Sequence, residues 1–201
     1  MFYIFQTLER AEVFIQEVKT LENVHPQISS ILRNNIANYQ PFAAKCIYLH
    51  KESPHEAIVM EDLNREGFRL ANINLGLDIK HCLLVVRTIA QYHAASLVLV
   101  QKTPNCFQPF YDNLISIEFE RILCIVMKDN LKDCAGLLMK WPGFEGYSET
   151  IHCLCEGLGE KVLEANRRDE GGYNVLNHGD LWIKNIMFRY NDLTHEVQDV
   201  R

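Results

Sequence analysis

Val13, Phe14, Val18 and Leu21 are spaced among Glu12, Gln16, Glu17 and Lys19 with a helical period, so a helix is expected over residues 11–21. Two shorter apolar runs, 43–49 and 56–60, read as strands separated by the turn-prone Lys51-Glu52-Ser53-Pro54. A long helix is expected next. Asp78 is placed to cap it, and Ile79, Cys82, Leu83, Val86, Ile89, Ala90, His93 and Leu97 follow a helical stripe expected to be buried. His93 lies on that stripe and reads as a packed core histidine rather than a ligand. Further helices are expected over 112–127, 131–141 and 148–166, broken by Gly143, Gly146 and the run 167–172. Near the end, Ile186-Met187-Phe188 is strand-like, and Asn191-Asp192 reads as a hairpin turn with Asp192 a solvated turn residue.

The chemistry is concentrated just before that last strand, in His178-Gly179-Asp180-Leu181-Trp182-Ile183-Lys184-Asn185. Asp180 and Asn185 stand five positions apart, the spacing of a phosphoryl-transfer catalytic loop. That chemistry needs a carboxylate to orient an attacking hydroxyl. It also needs an uncharged amide oxygen to ligate the hard cation that neutralises phosphate oxygens. Gly179 allows a turn ahead of Asp180, and the following strand fixes the loop's exit. Lys184 is close enough in sequence to assist a transferring phosphate, with an ordinary surface lysine as the other reading.

On this loop, together with Val59-Met60-Glu61-Asp62-Leu63, Gly67-Phe68 and Ala90-Gln91-Tyr92-His93-Ala94-Ala95-Ser96, the chain resembles the insect ecdysteroid-kinase-like (CHK kinase-like) family, a branch of the aminoglycoside-phosphotransferase and choline-kinase group. The resemblance covers most of the chain from about Val13 onward. It implies an α+β, protein-kinase-like bilobal fold. Residues 1–62 would be a shortened, β-containing N-terminal lobe with the hinge at its end, and residues 63–201 a large, mostly helical lobe. The implied activity is ATP-dependent, magnesium-assisted phosphorylation of a hydroxyl on a small molecule such as an ecdysteroid. By the same resemblance Asp180 is the catalytic base, His178 braces its loop, Asn185 holds magnesium, and the backbone of Glu61, Asp62 and Leu63 receives adenine. Glu17 would be the ion-pair partner of a nucleotide-binding lysine, but the best register puts Gln6 in the lysine's place. An ordinary solvated glutamate is therefore the alternative for Glu17.

Three departures bear on activity. No glycine precedes Gly67, so a glycine-rich phosphate loop is not expected; Gln6 replaces the lysine; and the chain is expected to stop at Asp199-Val200-Arg201, just short of the family's Asp-Phe-Gln motif. Asp199 is not expected to substitute for that motif's aspartate. A truncated kinase, an inactive pseudokinase and a non-catalytic ligand-binding module thus stay open beside an active enzyme. Residues 100–176 form an insertion of the kind that walls an acceptor pocket in small-molecule kinases. It is rich in Phe107, Phe110, Tyr111, Trp141, Phe144 and Tyr147, most of them expected to be ordinary core.

A net charge of -6 without a basic run argues against nucleic acid or an anionic membrane as partner. No segment reads as a membrane span, and residues 1–5 are too short and uncharged for a signal peptide, so the cytosol is the expected compartment. Seven cysteines, odd in number and irregularly spaced, suit reduced thiols. His152-Cys153-Leu154-Cys155 is the one tempting metal cluster. On a helix, residues two apart diverge by about 200°, which points the two thiols away from one another.

Overall fold

The computed structural model describes residues 14–52, 54–107, 117–165 and 171–201. Val13 and Gln6 lie outside them, as do Phe110 and Tyr111. Residues 14–19 form helix α1, which runs through a π-helical turn, Thr20–Val24, into α2, His25–Asn35. Val18, Leu21, Val24, Ile28 and Leu32 are buried along it at three- and four-residue intervals. The helix continues past the expected end near Leu21, with Pro26 directly after the π-helical turn in the first turn of α2.

Both expected strands form. β1, Cys46–His50, pairs antiparallel with β2, Ala57–Met60, with a register irregularity between Cys46 and Tyr48. The chain then enters a short 3-10 turn, Leu63–Glu66, whose N-cap is Asp62. Gly67 ends that turn in the left-handed region at φ 81°. A Cβ there would meet only the Arg189 side chain, Cγ at 3.9 Å and Cδ at 4.0 Å, so the position has room and asks only for backbone freedom. Gly67→Ala is therefore expected to cost about 1 kcal/mol, read as a lowered thermal midpoint; an unchanged midpoint would mean the turn is not left-handed.

From Gly67 the chain forms β3, Phe68–Leu70, the edge of a three-stranded antiparallel sheet ordered β3-β4-β5, with β4 at Met187–Tyr190 and β5 at Val197–Val200. Asn191 closes the β4–β5 hairpin as expected, its Oδ1 accepting the N–H groups of Leu193 (2.8 Å) and Thr194 (2.9 Å). Phe68 pairs with Arg189 and Phe188 with Arg69, so the two phenylalanines occupy opposite faces. Phe188 is wholly buried with Ile186 and Val200, against Leu77, Leu84 and Val85. Phe68 is covered by the guanidinium groups of Arg189 and Arg201, 5.0 and 4.7 Å from its ring centre.

α3, Ile79–Lys102, is capped as expected: Asp78 Oδ1 accepts the His81 N–H at 3.0 Å. Its buried face is not the expected one. Tyr92, Ala95, Ser96 and Leu99 are buried, while Ile79, Leu83 and Val86 are 71%, 57% and 64% exposed. The run Leu83-Leu84-Val85-Val86 makes the helix apolar all round, and periodicity cannot choose a side of such a helix. For the same reason, the expectation that nothing approaches a membrane span is corrected. By length and composition alone, α3 is long and apolar enough to cross one. Its first turns are nonetheless tied to the sheet: His81 Nε2 meets Tyr190 Oη at 3.0 Å, and the His81 ring stands edge-on to Phe188.

The chain divides into two compact units, Met1–Gln108 with Val175–Arg201, and Pro109–Asn174. The first carries both residues 61–63, expected as a hinge, and the loop over residues 178–185; the second holds most of the helical segment expected as an insertion. There α4, Ile117–Leu138, is one helix where two were expected, since the intervening Lys128-Asp129-Asn130 is polar but contains no helix breaker. α5, Glu145–Glu156, and α6, Leu158–Ala165, replace the single expected helix and part at Gly157. On α5 Cys153 is exposed and Cys155 buried, the divergence expected for residues two apart.

Candidate active site

The catalytic loop is shaped by its own backbone. Gly179, at φ 84°, makes the turn that brings the Asp180 N–H onto His178 Nδ1 at 3.2 Å. Nδ1 is the acceptor in this contact, so in the neutral form of His178 the hydrogen sits on Nε2. Downstream, Ile183–Asn185 forms a 3-10 turn in which the Asn185 N–H donates to the Trp182 carbonyl at 2.8 Å. That turn folds Asn185 back on Asp180. Its Nδ2 donates to the Asp180 carbonyl at 2.9 Å and to Asp180 Oδ2 at 2.7 Å. With the amide hydrogens so used, Asn185 Oδ1 is left as its acceptor end and Asp180 keeps a second carboxylate oxygen. Both residues are exposed. Lys184 does not reach toward them: its ammonium lies 5.1 Å from the centre of the Trp182 ring.

The loop has a neighbour that sequence reasoning missed. His25, at the start of α2, is partly buried, its ring edge-on to Phe42 at 4.9 Å and to Tyr92 at 6.1 Å. Burial, reinforced by the nearby charge of His178, lowers its pKa to about 4. No signal in the sequence marks it beyond the adjacent Pro26. Glu17 lies close to the same aromatic group, since its charge adds to burial in raising the Tyr92 phenol to about 12. Glu17 itself is exposed. No contact joins it to Asp180 or Asn185 among the described residues.

The hinge residues are held locally. The Glu61 N–H donates to the Lys45 carbonyl at 2.9 Å, and Glu61 Oε2 accepts the Lys45 N–H at 3.2 Å. Asp62 Oδ1 accepts from the Asn64 N–H and Nδ2, and the Leu63 side chain is buried. The Asp62 carboxylate is thus occupied with its own turn, and that of Glu61 with Lys45 just ahead of β1. Hinge and catalytic loop feed one sheet, the first entering β3 at Phe68 and the second entering β4 at Met187, which pairs with Leu70.

Asp199 is engaged elsewhere, its Oδ2 3.0 Å from both Arg189 Nη2 and Arg201 Nη1. His93 is not the packed core histidine expected. It is half-buried and lines an apolar groove of about 240 Å³ with Val85, Val86, Ile89, Ala90 and Leu181, the residue after Asp180. Burial lowers its pKa.

No curated protein and no solved structure matches the chain. The ecdysteroid kinase-like family does: its model matches residues 5–201, a span that takes in the hinge, α3, the insertion and the Asp180–Asn185 pair, and the chain belongs to that kinase-like family.

Proposed function

We propose that this chain carries the catalytic loop of an ATP-dependent kinase that phosphorylates a hydroxyl of a small molecule, such as an ecdysteroid. The observation that carries the reading is the Asp180–Asn185 pair, with Oδ2 and Nδ2 2.7 Å apart on an exposed loop. Asp180 accepts the proton of the acceptor hydroxyl as its oxygen bonds to the terminal phosphorus of ATP and the bond to the departing ADP breaks. His178 holds the Asp180 backbone and the Asn185 amide holds its carboxylate, so the base is oriented before substrate arrives.

The oxygen donors left on Asn185 and Asp180 are hard ligands of the kind magnesium takes, and the residues fit the ion in that respect. Asn185 Oδ1 would hold it, and when bound the ion neutralises charge on the phosphate oxygens. Among the described residues no three His, Cys, Asp or Glu side chains gather into a metal cluster, and Asp199 is bound to two arginines. The nucleotide's phosphates and bound water would supply the remaining oxygen ligands. The backbone of Glu61 to Leu63 is the proposed adenine contact. Free thiols at Cys46, Cys82, Cys106, Cys134, Cys153 and Cys155 support a reducing, cytosolic setting.

Incubation with terminally labelled ATP, magnesium and a panel of hydroxylated small molecules including an ecdysteroid is expected to label an acceptor. Asn185→Ala is expected to weaken magnesium-dependent ATP binding about tenfold by calorimetry while leaving binding in chelator unchanged. Neither acceptor labelling nor any magnesium-dependent binding in the unaltered protein would overturn the reading in favour of a non-catalytic module.

A further inference from the structure

Ser96 is a hydroxyl with no exposure to solvent, on a helix that is otherwise apolar through this region. Such a group is costly to bury unless both its donor and its acceptor capacity are used. Here they are. Its Oγ donates to the His93 carbonyl one turn back on α3 at 2.7 Å and accepts the Leu176 N–H at 3.1 Å. Leu176 belongs to neither helix nor strand, so its N–H has no ladder to join and finds its partner in this side chain. It stands two residues ahead of His178, in the segment that delivers the chain into the catalytic loop.

We propose that Ser96 is a positioning residue for the catalytic loop, its hydroxyl pinning the entry at Leu176 to α3 and so setting where His178 and Asp180 lie. The bond to the His93 carbonyl fixes the Ser96 rotamer, which aims a lone pair at Leu176. Tyr92, Ala95 and Leu99, buried on the same helix, leave that side of α3 no freedom to rotate. The exit of the loop is pinned separately, by the strand pairing of Met187 with Leu70. The His178-Gly179-Asp180 turn therefore hangs between two fixed points, one of them a single side chain. His178 also lies close enough to His25 on α2 for its charge to act there, which places the entry against the helical layer that Ser96 anchors. Serine suits the post because it donates and accepts at once; alanine does neither.

Ser96→Ala and Ser96→Thr provide the test, since threonine keeps the hydroxyl. The activity arm rests on the kinase reading. With ATP, magnesium and an accepted alcohol, Ser96→Ala is expected to lower kcat about tenfold or more with KM for ATP little changed, and Ser96→Thr to recover most of it, as a small misplacement of the base would require. Wild-type kcat in Ser96→Ala, or equal losses in both variants tracking their melting temperatures, would overturn the proposal. The second arm needs no turnover. The Asn185 side-chain amide, held by Asp180, is expected to shift toward free-asparagine positions in the NMR spectrum of Ser96→Ala but not of Ser96→Thr. An unmoved Asn185 amide in Ser96→Ala overturns the proposal even if the wild-type protein transfers no phosphate, in which case the kinase reading fails by itself. Should Ser96→Ala not fold, hydrogen exchange at Leu176 in the wild-type protein decides. Protection of about tenfold or more over a free peptide supports the anchor, and unprotected exchange removes it.

Discussion

Asp180→Asn is expected to lower kcat for phosphoryl transfer by roughly 10²–10⁴-fold, the range for losing a positioned general base, with the melting temperature unchanged. The substitution is close to isosteric. It keeps an oxygen able to accept from Asn185 Nδ2, and the Asp180 N–H still donates to His178 Nδ1, so the loop has no reason to move. What disappears is the negative charge and the capacity to take a proton. Both residues of the pair are exposed, and an exposed polar contact contributes little to folding, so stability and activity should separate cleanly. KM for ATP should change little, because the nucleotide is proposed to be held by Asn185 and the hinge backbone. Steady-state kinetics beside a thermal melt checks all three expectations. A variant that retained wild-type kcat would show that another group takes the hydroxyl's proton, and the role assigned to the Asp180–Asn185 pair would have to be withdrawn.

The parts of this site that could be read in the sequence are those made by neighbours along the chain. His178, Gly179, Asp180 and Asn185 lie in one short string whose geometry is set by two tight turns, and turns are encoded locally. The Asp78 cap and the Asn191 hairpin were legible for the same reason: a side chain reaching a backbone N–H two or three residues on needs no tertiary information. What could not be read were choices between equivalent faces and meetings between distant segments. α3 is apolar on every side, and which side becomes interior is decided by α2 and β5, which pack on it. His25 and Tyr92 belong to different helices, and Glu22 of the π-helical turn pairs with Lys51 just after β1; neither pairing leaves a mark on local pattern. α2 was hidden by Pro26, a residue that ends helices in their interior and starts them in their first turn. The family's motif was thus open to inspection, while the scaffold that orients it was not.

That scaffold should announce itself in acid. His25 in the folded protein binds its proton only near pH 4, against 6.5 in an unfolded chain, because charging the ring would mean placing a cation among Phe42 and Tyr92 beside His178. Between those values the unfolded state holds a proton that the folded state refuses. The stability tied to neutral His25 is therefore present in full above pH 6.5 and is lost progressively as pH falls toward 4, by on the order of 3 kcal/mol across the window. Asp78 and Glu196, whose pKa values are lowered by His81 and Lys80, add their own losses as acid protonates them, so the wild-type curve alone would not isolate the histidine. His25→Phe does. It preserves an aromatic ring for the edge-on contacts with Phe42 and Tyr92, removes the titration, and leaves the two carboxylates as they were. Urea unfolding at a series of pH values is expected to give two curves that run parallel above pH 7 and diverge below 6.5, with the variant losing less. Curves that stayed parallel down to pH 4 would place His25 in water rather than among Phe42 and Tyr92.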